Sequence, residues 1–141
     1  MRKILFVQPT SSSFMNIDFS ILQQIHPTDR INLHQACKKR YLLSLLKLFL
    51  SAWKLLRYEL IVTWFGDYHS ALLAWLCKLL RRKMILFIGG YDAVWYPQQG
   101  IGVYTKPFRS KFTRYAVTHV DLLIANHESL IDFTNTYIDG T

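Results

Sequence analysis

The stretch ELIVTWFGDYHSALLAWLCKLLRRKMILFIGGYDAVWYP, residues 59–97, contains two apolar runs separated by one helix-length segment. The runs Leu60–Trp64 and Met84–Ile88 are continuous rather than alternating, as expected of strands that are buried on both faces. The intervening segment His69–Leu80 is followed by three consecutive cations, which favour a helix C-terminus. The stretch therefore predicts a strand–helix–strand unit, and a helical crossover of this kind joins parallel strands.

The same pattern extends in both directions from this unit. Further strands are predicted at Lys3–Gln8 and Leu122–Ala125, and a weaker one at Arg30–His34. Further helices are predicted at four segments: Phe14–Ile25, Lys38–Tyr58, Thr105–Thr118 and Glu128–Tyr137. The alternation predicts one α/β domain over residues 1–141, a Rossmann-like doubly wound parallel sheet of about five strands with helices on both faces.

The net charge of +8 is unevenly distributed along the chain. Residues 36–114 hold fourteen of the seventeen Lys and Arg but only three acids, whereas residues 115–141 hold four acids and no Lys or Arg. This asymmetry indicates either a basic face that binds an anionic partner or a solvated face that keeps an apolar protein soluble. The segment Lys38–Tyr58 has one narrow polar stripe and a wide apolar arc, so it either covers the sheet or lies on an anionic membrane surface.

Several classes of protein are not indicated. Cys37 and Cys77 follow no metal or redox spacing and are predicted to be buried thiols, as suits a reducing cytoplasm. Charges interrupt the most apolar region before it reaches the roughly 18–20 residues of a transmembrane helix. The cations alternate with leucines and match no nucleic-acid motif, so no nucleic acid is expected. The prediction is a cytoplasmic protein, with peripheral attachment to the inner membrane face left open.

The loop after the first strand is a candidate ligand site, because doubly wound sheets bind ligands beyond the carboxyl ends of their strands. It contains Thr10, Ser11 and Ser12, whose hydroxyls could hold an anion or a sugar hydroxyl. The ordinary alternative is a serine that caps the following helix. The loop has no glycine, so it fits neither a dinucleotide fingerprint nor a phosphate-binding loop.

The loop after Leu60–Trp64 carries the first candidate catalytic residue. Asp67 is positioned to cap the next helix, and His69 falls in the first turn of that helix. A histidine suits proton transfer near neutral pH. The alternative for His69 is a surface or capping residue.

The loop after Met84–Ile88 carries the second candidate catalytic residue, Asp92. Gly89 and Gly90 indicate unusual backbone angles or the close approach of a ligand. Tyr91 and Asp92 follow, and a carboxylate here could accept hydrogen bonds from substrate hydroxyls. The alternative is a turn in which Asp92 caps a helix.

Three pieces of the sequence, in order, resemble the amino-terminal domain of family 4 GT-B glycosyltransferases. They are a Trp-Phe strand end followed by a His, a Gly-Xaa-Asp after the next strand, and an Ala-Asp-like strand leading to a Ser: Trp64-Phe65 with His69, Gly90-Tyr91-Asp92, and Val120-Asp121 with Ser129. The resemblance covers essentially the whole chain. It departs from the family at Pro9-Thr10-Ser11, where many members have Gly, and at Gly89, where many have His.

The resemblance implies the acceptor-binding half of a two-domain enzyme, whose donor-binding half has no counterpart in this chain. It implies a nucleotide-sugar donor for the full enzyme, no cofactor or metal in this domain, and a glycan or lipid-linked acceptor. The chain alone is then not expected to transfer sugar. The candidate catalytic residues are His69 and Asp92, and the candidate acceptor-binding residues are Thr10, Ser11, Ser12, Asp67, Gly89, Gly90 and Tyr91. Two alternatives stay open: a non-catalytic flavodoxin-like binding module and a basic membrane-surface domain.

Overall fold

Strands and helices alternate throughout the part of the chain that is described. A computed structural model describes residues 3–139, without the side chains of Tyr137 and Asp139; the other four residues of the predicted domain lie outside the described residues. The elements are β1 Lys3–Gln8, α1 Ser13–Ile25, β2 Thr28–Asn32, α2 Lys38–Leu50, β3 Tyr58–Trp64, α3 Tyr68–Leu80, β4 Lys83–Ile88, α4 Pro107–His119, β5 Leu122–Ala125 and α5 Glu128–Asp139. Short 3-10 helices lie at Ala52–Arg57 and Val103–Thr105.

The strands of residues 3–139 form one parallel sheet in the order β2-β1-β3-β4-β5. β1 is interior, with Val7 in register with Ile31 of β2 on one side and Thr63 of β3 on the other. Because the chain moves to one side of β1 to form β2 and then to the other side to form β3, the direction of winding reverses between β1 and β3. The predicted α/β class and parallel sheet are confirmed.

Helices pack on both faces of the sheet. Leu5 and Val7 belong to a core cluster with residues of α2 and α3, whereas Phe6 points the other way and packs with Met15 of α1. α4 covers β4 on the same face as α3, through Ala116 against residues of that strand. The face under α2, α3 and α4 is therefore distinct from the face under α1. Within residues 3–139, no helix has both the length and the apolar character needed to cross a membrane.

The structure corrects the helix predicted at Lys38–Tyr58. α2 ends at Leu50, a 3-10 helix follows, and Tyr58 already belongs to β3. The 3-10 segment still turns Leu55 into the core, where its side chain is 2% exposed. The apolar spacing therefore continues across the break, and periodicity alone could not reveal it.

The structure also corrects the strand predicted at Arg30–His34, which spans Thr28–Asn32 instead. Thr28 is buried and its hydroxyl donates to the carbonyl of His26 at 2.8 Å, while His34 has a φ of 53° and cannot extend the strand. The other predicted boundaries shift by at most about two residues, within the usual uncertainty of element ends. Cys37, predicted to be buried, is exposed, whereas Cys77 is buried as predicted.

Candidate functional site

The carboxyl edge of the sheet carries the predicted site residues, but their side chains do not face one common groove. Thr10 and Ser12 are half-buried and Ser11 is exposed, in the loop after β1. Ser12 precedes α1, yet its hydroxyl makes no capping hydrogen bond, so the capping interpretation is wrong for this hydroxyl. The Ser12 hydroxyl and the side-chain carbonyl of Gln8, at the end of β1, are buried without a hydrogen-bond partner among the described residues. Because both atoms are buried, neither is presented to a ligand in this geometry.

The carboxylate of Asp92 forms hydrogen bonds with backbone N–H groups of the chain. Its side chain is 3% exposed and accepts three N–H groups: Gly66 at 2.9 Å, Gly89 at 3.0 Å and Gly90 at 3.0 Å. Burial raises the pKa of the Asp92 carboxyl, while the three N–H groups favour its ionised form. Asp92 therefore joins the end of β3 to the end of β4, and in this geometry it is not oriented toward a substrate.

His69 is fully buried, so it presents neither ring nitrogen to a substrate. Its Nε2 lies 2.8 Å from the carbonyl of Trp64, and its Nδ1 lies 3.0 Å from the hydroxyl of Tyr41. A carbonyl oxygen can only accept, so the proton is on Nε2 and Nδ1 accepts from the Tyr41 hydroxyl. The same hydroxyl accepts the backbone N–H of His69 at 3.1 Å. The proton-transfer role predicted for His69 is at odds with this burial; the geometry gives His69 a structural role, linking α2 to β3.

Burial lowers the pKa of His69, against the opposing effect of the hydrogen bond to Trp64. The unfolded chain then binds a proton at His69 below about pH 6.5 while the folded chain does not, so the free energy of unfolding falls as the pH drops. We expect a slope of up to about 1.4 kcal/mol per pH unit below pH 6.5, measured by urea unfolding across a pH series. His69→Gln should flatten that slope, whatever its effect on stability at pH 7. An unchanged slope in the variant would contradict the assignment.

Asp67 lies in a small charged cavity that the sequence only partly revealed. Its carboxylate is 4% exposed, caps α3 through the N–H of Tyr68 at 2.8 Å, and forms a bidentate ion pair with Arg109 of α4. Gln35 donates to the same carboxylate at 2.7 Å. These side chains and Tyr91 line a cavity of about 160 Å³. Sequence reasoning missed both partners: Arg109 lies inside α4, and Gln35 lies in the loop after β2, the strand whose predicted bounds were wrong.

A larger groove opens between α1 and the ends of β3, β4 and β5. It has a volume of about 520 Å³, and its lining includes Phe14, Asp18, Trp64, Phe65, Phe87 and Asn126. The indole N–H of Trp64 donates to Asp18 at 2.9 Å, and the Trp64 ring stacks on Phe87 with centroids 4.9 Å apart. The ring of Phe14, which is 43% exposed, is roughly perpendicular to the Trp64 ring, with the two ring centroids 5.0 Å apart. The groove therefore combines aromatic faces with a carboxylate and an amide. We call it the aromatic groove.

Glycine is required at each of the two positions after β4, Gly89 and Gly90, for a different reason. A Cβ on Gly89 would lie 2.6 Å from Cε1 of Phe65. The position therefore needs glycine, because the Phe65 ring packs against it and leaves no room for a side chain. Gly90 has a φ of 142°, which side chains rarely adopt. Phe65 has a φ of 68°, a strained angle for a bulky residue, and its ring helps to line the aromatic groove. The sequence offered two explanations for these glycines, and each applies to one of them. Gly90 has the unusual backbone angle, and Gly89 has the close approach, which is made by the ring of Phe65 rather than by a ligand.

The predicted site residues are divided between the charged cavity and the aromatic groove. Of the predicted residues, Asp67, Tyr91 and Asp92 share the charged cavity and Gly89 lies in the aromatic groove, while His69 lines neither.

Within the described residues, no three His, Cys, Asp or Glu side chains form a group that could hold a metal ion. No protein-family model matches the chain, and a search of curated proteins finds no match.

Proposed function

We propose that this chain is the acceptor-binding domain of a glycosyltransferase and that the aromatic groove holds the acceptor sugar. The observation that carries the proposal is the pairing of aromatic faces with Asp18 and Asn126 in a groove of about 520 Å³. Sugars present C–H faces that pack on aromatic rings and hydroxyls that bind carboxylates and amides. A volume in this range is usual for small-molecule sites.

The position of the aromatic groove supports the same proposal. It lies at the carboxyl edge of the sheet, next to the reversal between β1 and β3, where doubly wound sheets bind their ligands.

The chemistry available in this chain fits binding better than transfer. In the proposed reaction, an acceptor hydroxyl attacks the anomeric carbon of a nucleotide sugar, and a nucleoside diphosphate leaves. The burial of His69 and Asp92 leaves neither residue in position to take the hydroxyl proton. The donor, and the groups that stabilise the leaving diphosphate, would be supplied by a second domain, as the resemblance to GT-B enzymes implies.

Saturation-transfer NMR with a panel of methyl glycosides tests the proposal on this chain. We expect at least one glycoside to receive saturation, and Phe14→Ala to weaken its binding about fivefold, because an aromatic contact is worth about 1 kcal/mol. Phe108→Ala is the matched control, since Phe108 is 67% exposed but lies on α4, away from the groove. Absence of transfer from every glycoside at millimolar concentration, or equal weakening in both variants, would contradict the proposal.

One observation favours a second candidate, a non-catalytic flavodoxin-like binding module. The strand order β2-β1-β3-β4-β5 is that of flavodoxin-like sheets, which bind flavin mononucleotide at the same reversal. Flavin mononucleotide therefore belongs in the same NMR experiment. Saturation of the flavin with none of the glycosides would favour the second candidate over the first.

A further inference from the structure

α2 and α3 expose an unusually apolar surface. The side chains of Leu42, Leu46, Phe49, Leu50, Trp53 and Trp75 are between 44% and 68% exposed, and we call this surface the apolar face. Its α2 members recur at spacings of three and four residues and so form one stripe along the helix. Phe49 of α2 stacks on Trp75 of α3 with centroids 6.3 Å apart, which joins the two helices into one surface.

The apolar face continues toward α4. A groove of about 460 Å³ lies between α3 and α4, with Trp75 on one side and Phe108 on the other. Lys111 lies at this groove, so a cation borders the apolar surface there as well. Three neighbouring helices therefore contribute to one exposed apolar region, and contiguous regions of this kind mark interaction sites.

The charged side chains carried by these helices are all cations. α2 carries four Lys or Arg, the following 3-10 helix two, α3 one and α4 three, and none of these four segments contains Asp or Glu. α1 and α5 show the reverse, with four acids between them and no Lys or Arg. Ten of the seventeen Lys and Arg therefore lie on the helices that form or border the apolar face, and the helices that carry acids are α1 and α5.

This combination decides between possible occupants. A second copy docked on the same face would bring cations against cations with no acid in these helices to pair with them. A nucleic acid would satisfy the cations but would leave the leucines of the stripe without a partner. An anionic lipid surface satisfies both, since acyl chains receive the apolar side chains and headgroups bind the Lys and Arg.

We propose that the apolar face docks on the surface of an anionic lipid bilayer, with α2 lying in the plane of the interface. Trp53 has the environment of an interfacial anchor. The Lys54 ammonium and the Arg57 guanidinium each lie 5.7 Å from the centre of its ring, so an apolar ring and two cations occupy one end of the stripe. The proposal uses residues outside the aromatic groove and does not depend on sugar binding.

Co-sedimentation with vesicles tests the proposal. We expect the chain to bind vesicles of 70% phosphatidylcholine and 30% phosphatidylglycerol, to bind pure phosphatidylcholine far more weakly, and to dissociate as salt rises. Lys54→Gln combined with Arg57→Gln should weaken anionic binding about 25-fold, about fivefold for each cation. Leu42→Gln combined with Leu46→Gln should weaken it at least tenfold, because both side chains lose their insertion into the acyl region.

The chain offers a matched control for the leucine variant on α1. Ile17 and Ile21 have the same spacing as Leu42 and Leu46 and are similarly exposed, at 58% and 48%, but α1 carries no cation. Ile17→Gln with Ile21→Gln should leave vesicle binding unchanged. Binding that ignores lipid charge, or that falls equally in the two apolar variants, overturns the proposal. So does an absence of vesicle binding alongside self-association in sedimentation velocity that the leucine variant abolishes, since the occupant is then a second copy.

Discussion

Replacement of Asp92 by alanine is expected to lower the free energy of unfolding by about 4 kcal/mol, a large part of the stability of a small domain. The carboxylate accepts the N–H groups of Gly66, Gly89 and Gly90, and its side chain is 3% exposed. Alanine leaves all three donors without their acceptor. A buried donor left without a partner costs about 1–3 kcal/mol, and the total stays near the lower end because Gly89 and Gly90 are half-buried. Urea unfolding at pH 7, followed by circular dichroism, measures the change.

Asp92→Asn gives an intermediate value that tests the geometry. Asparagine keeps one acceptor oxygen but replaces the other with an NH₂ group, so at least one of the three N–H groups loses its partner. Asp132→Ala is the control, because Asp132 is exposed on α5 and substitutions at such sites usually change stability by less than about 0.5 kcal/mol. Equal losses in Asp92→Ala and Asp132→Ala would contradict the role assigned to Asp92.

Arg109→Met is expected to lower the free energy of unfolding by about 3 kcal/mol. The substitution leaves the Asp67 carboxylate, 4% exposed, without its bidentate partner and with only Gln35 and the N–H of Tyr68. Removing one member of a buried ion pair costs about 3–5 kcal/mol, and the lower end applies because the side chain of Arg109 is a third exposed. Denaturant unfolding at low and moderate salt measures the loss.

A double-mutant cycle separates the ion pair from the packing of the arginine stem. Asp67→Asn, Arg109→Met and the double variant should give a coupling energy of about 1–3 kcal/mol. Lys111→Met provides the control on the same helix, with an exposed cation changed in the same way. A coupling energy near zero would show that α3 and α4 are held together by packing alone.

The parallel sheet could be predicted because its strands are continuous apolar runs. β1 at Lys3–Gln8 and β5 at Leu122–Ala125 have the predicted bounds, since flanking polar or turn residues mark where burial ends. The predicted bounds of β2 were wrong because the strand begins inside the run Pro27-Thr28-Asp29, whose residues are typical of a turn, and because the φ of 53° at His34 ends it early.

The contacts of the candidate site could not be predicted in the same way. Asp92 meets Gly66 across 26 residues, Asp67 meets Arg109 across 42, and Trp64 meets Asp18 across 46. No local pattern encodes such pairs. The burial of His69 could not be predicted for the same reason. A position in the first turn of a helix is usually solvent-exposed, but here Tyr41 of α2 covers the His69 ring.

The interior position of β1 has a consequence for folding during synthesis. The hydroxyl of Thr63 donates to the carbonyl of Val7 across 56 residues, so during synthesis β1 waits for its neighbour on that side. At about 5–20 residues per second, the wait is about 3–11 s. During that time the nascent chain carries an apolar strand with one open edge, the kind of segment that chaperones recognise. Slowing translation before Tyr58 should therefore increase misfolding of this protein.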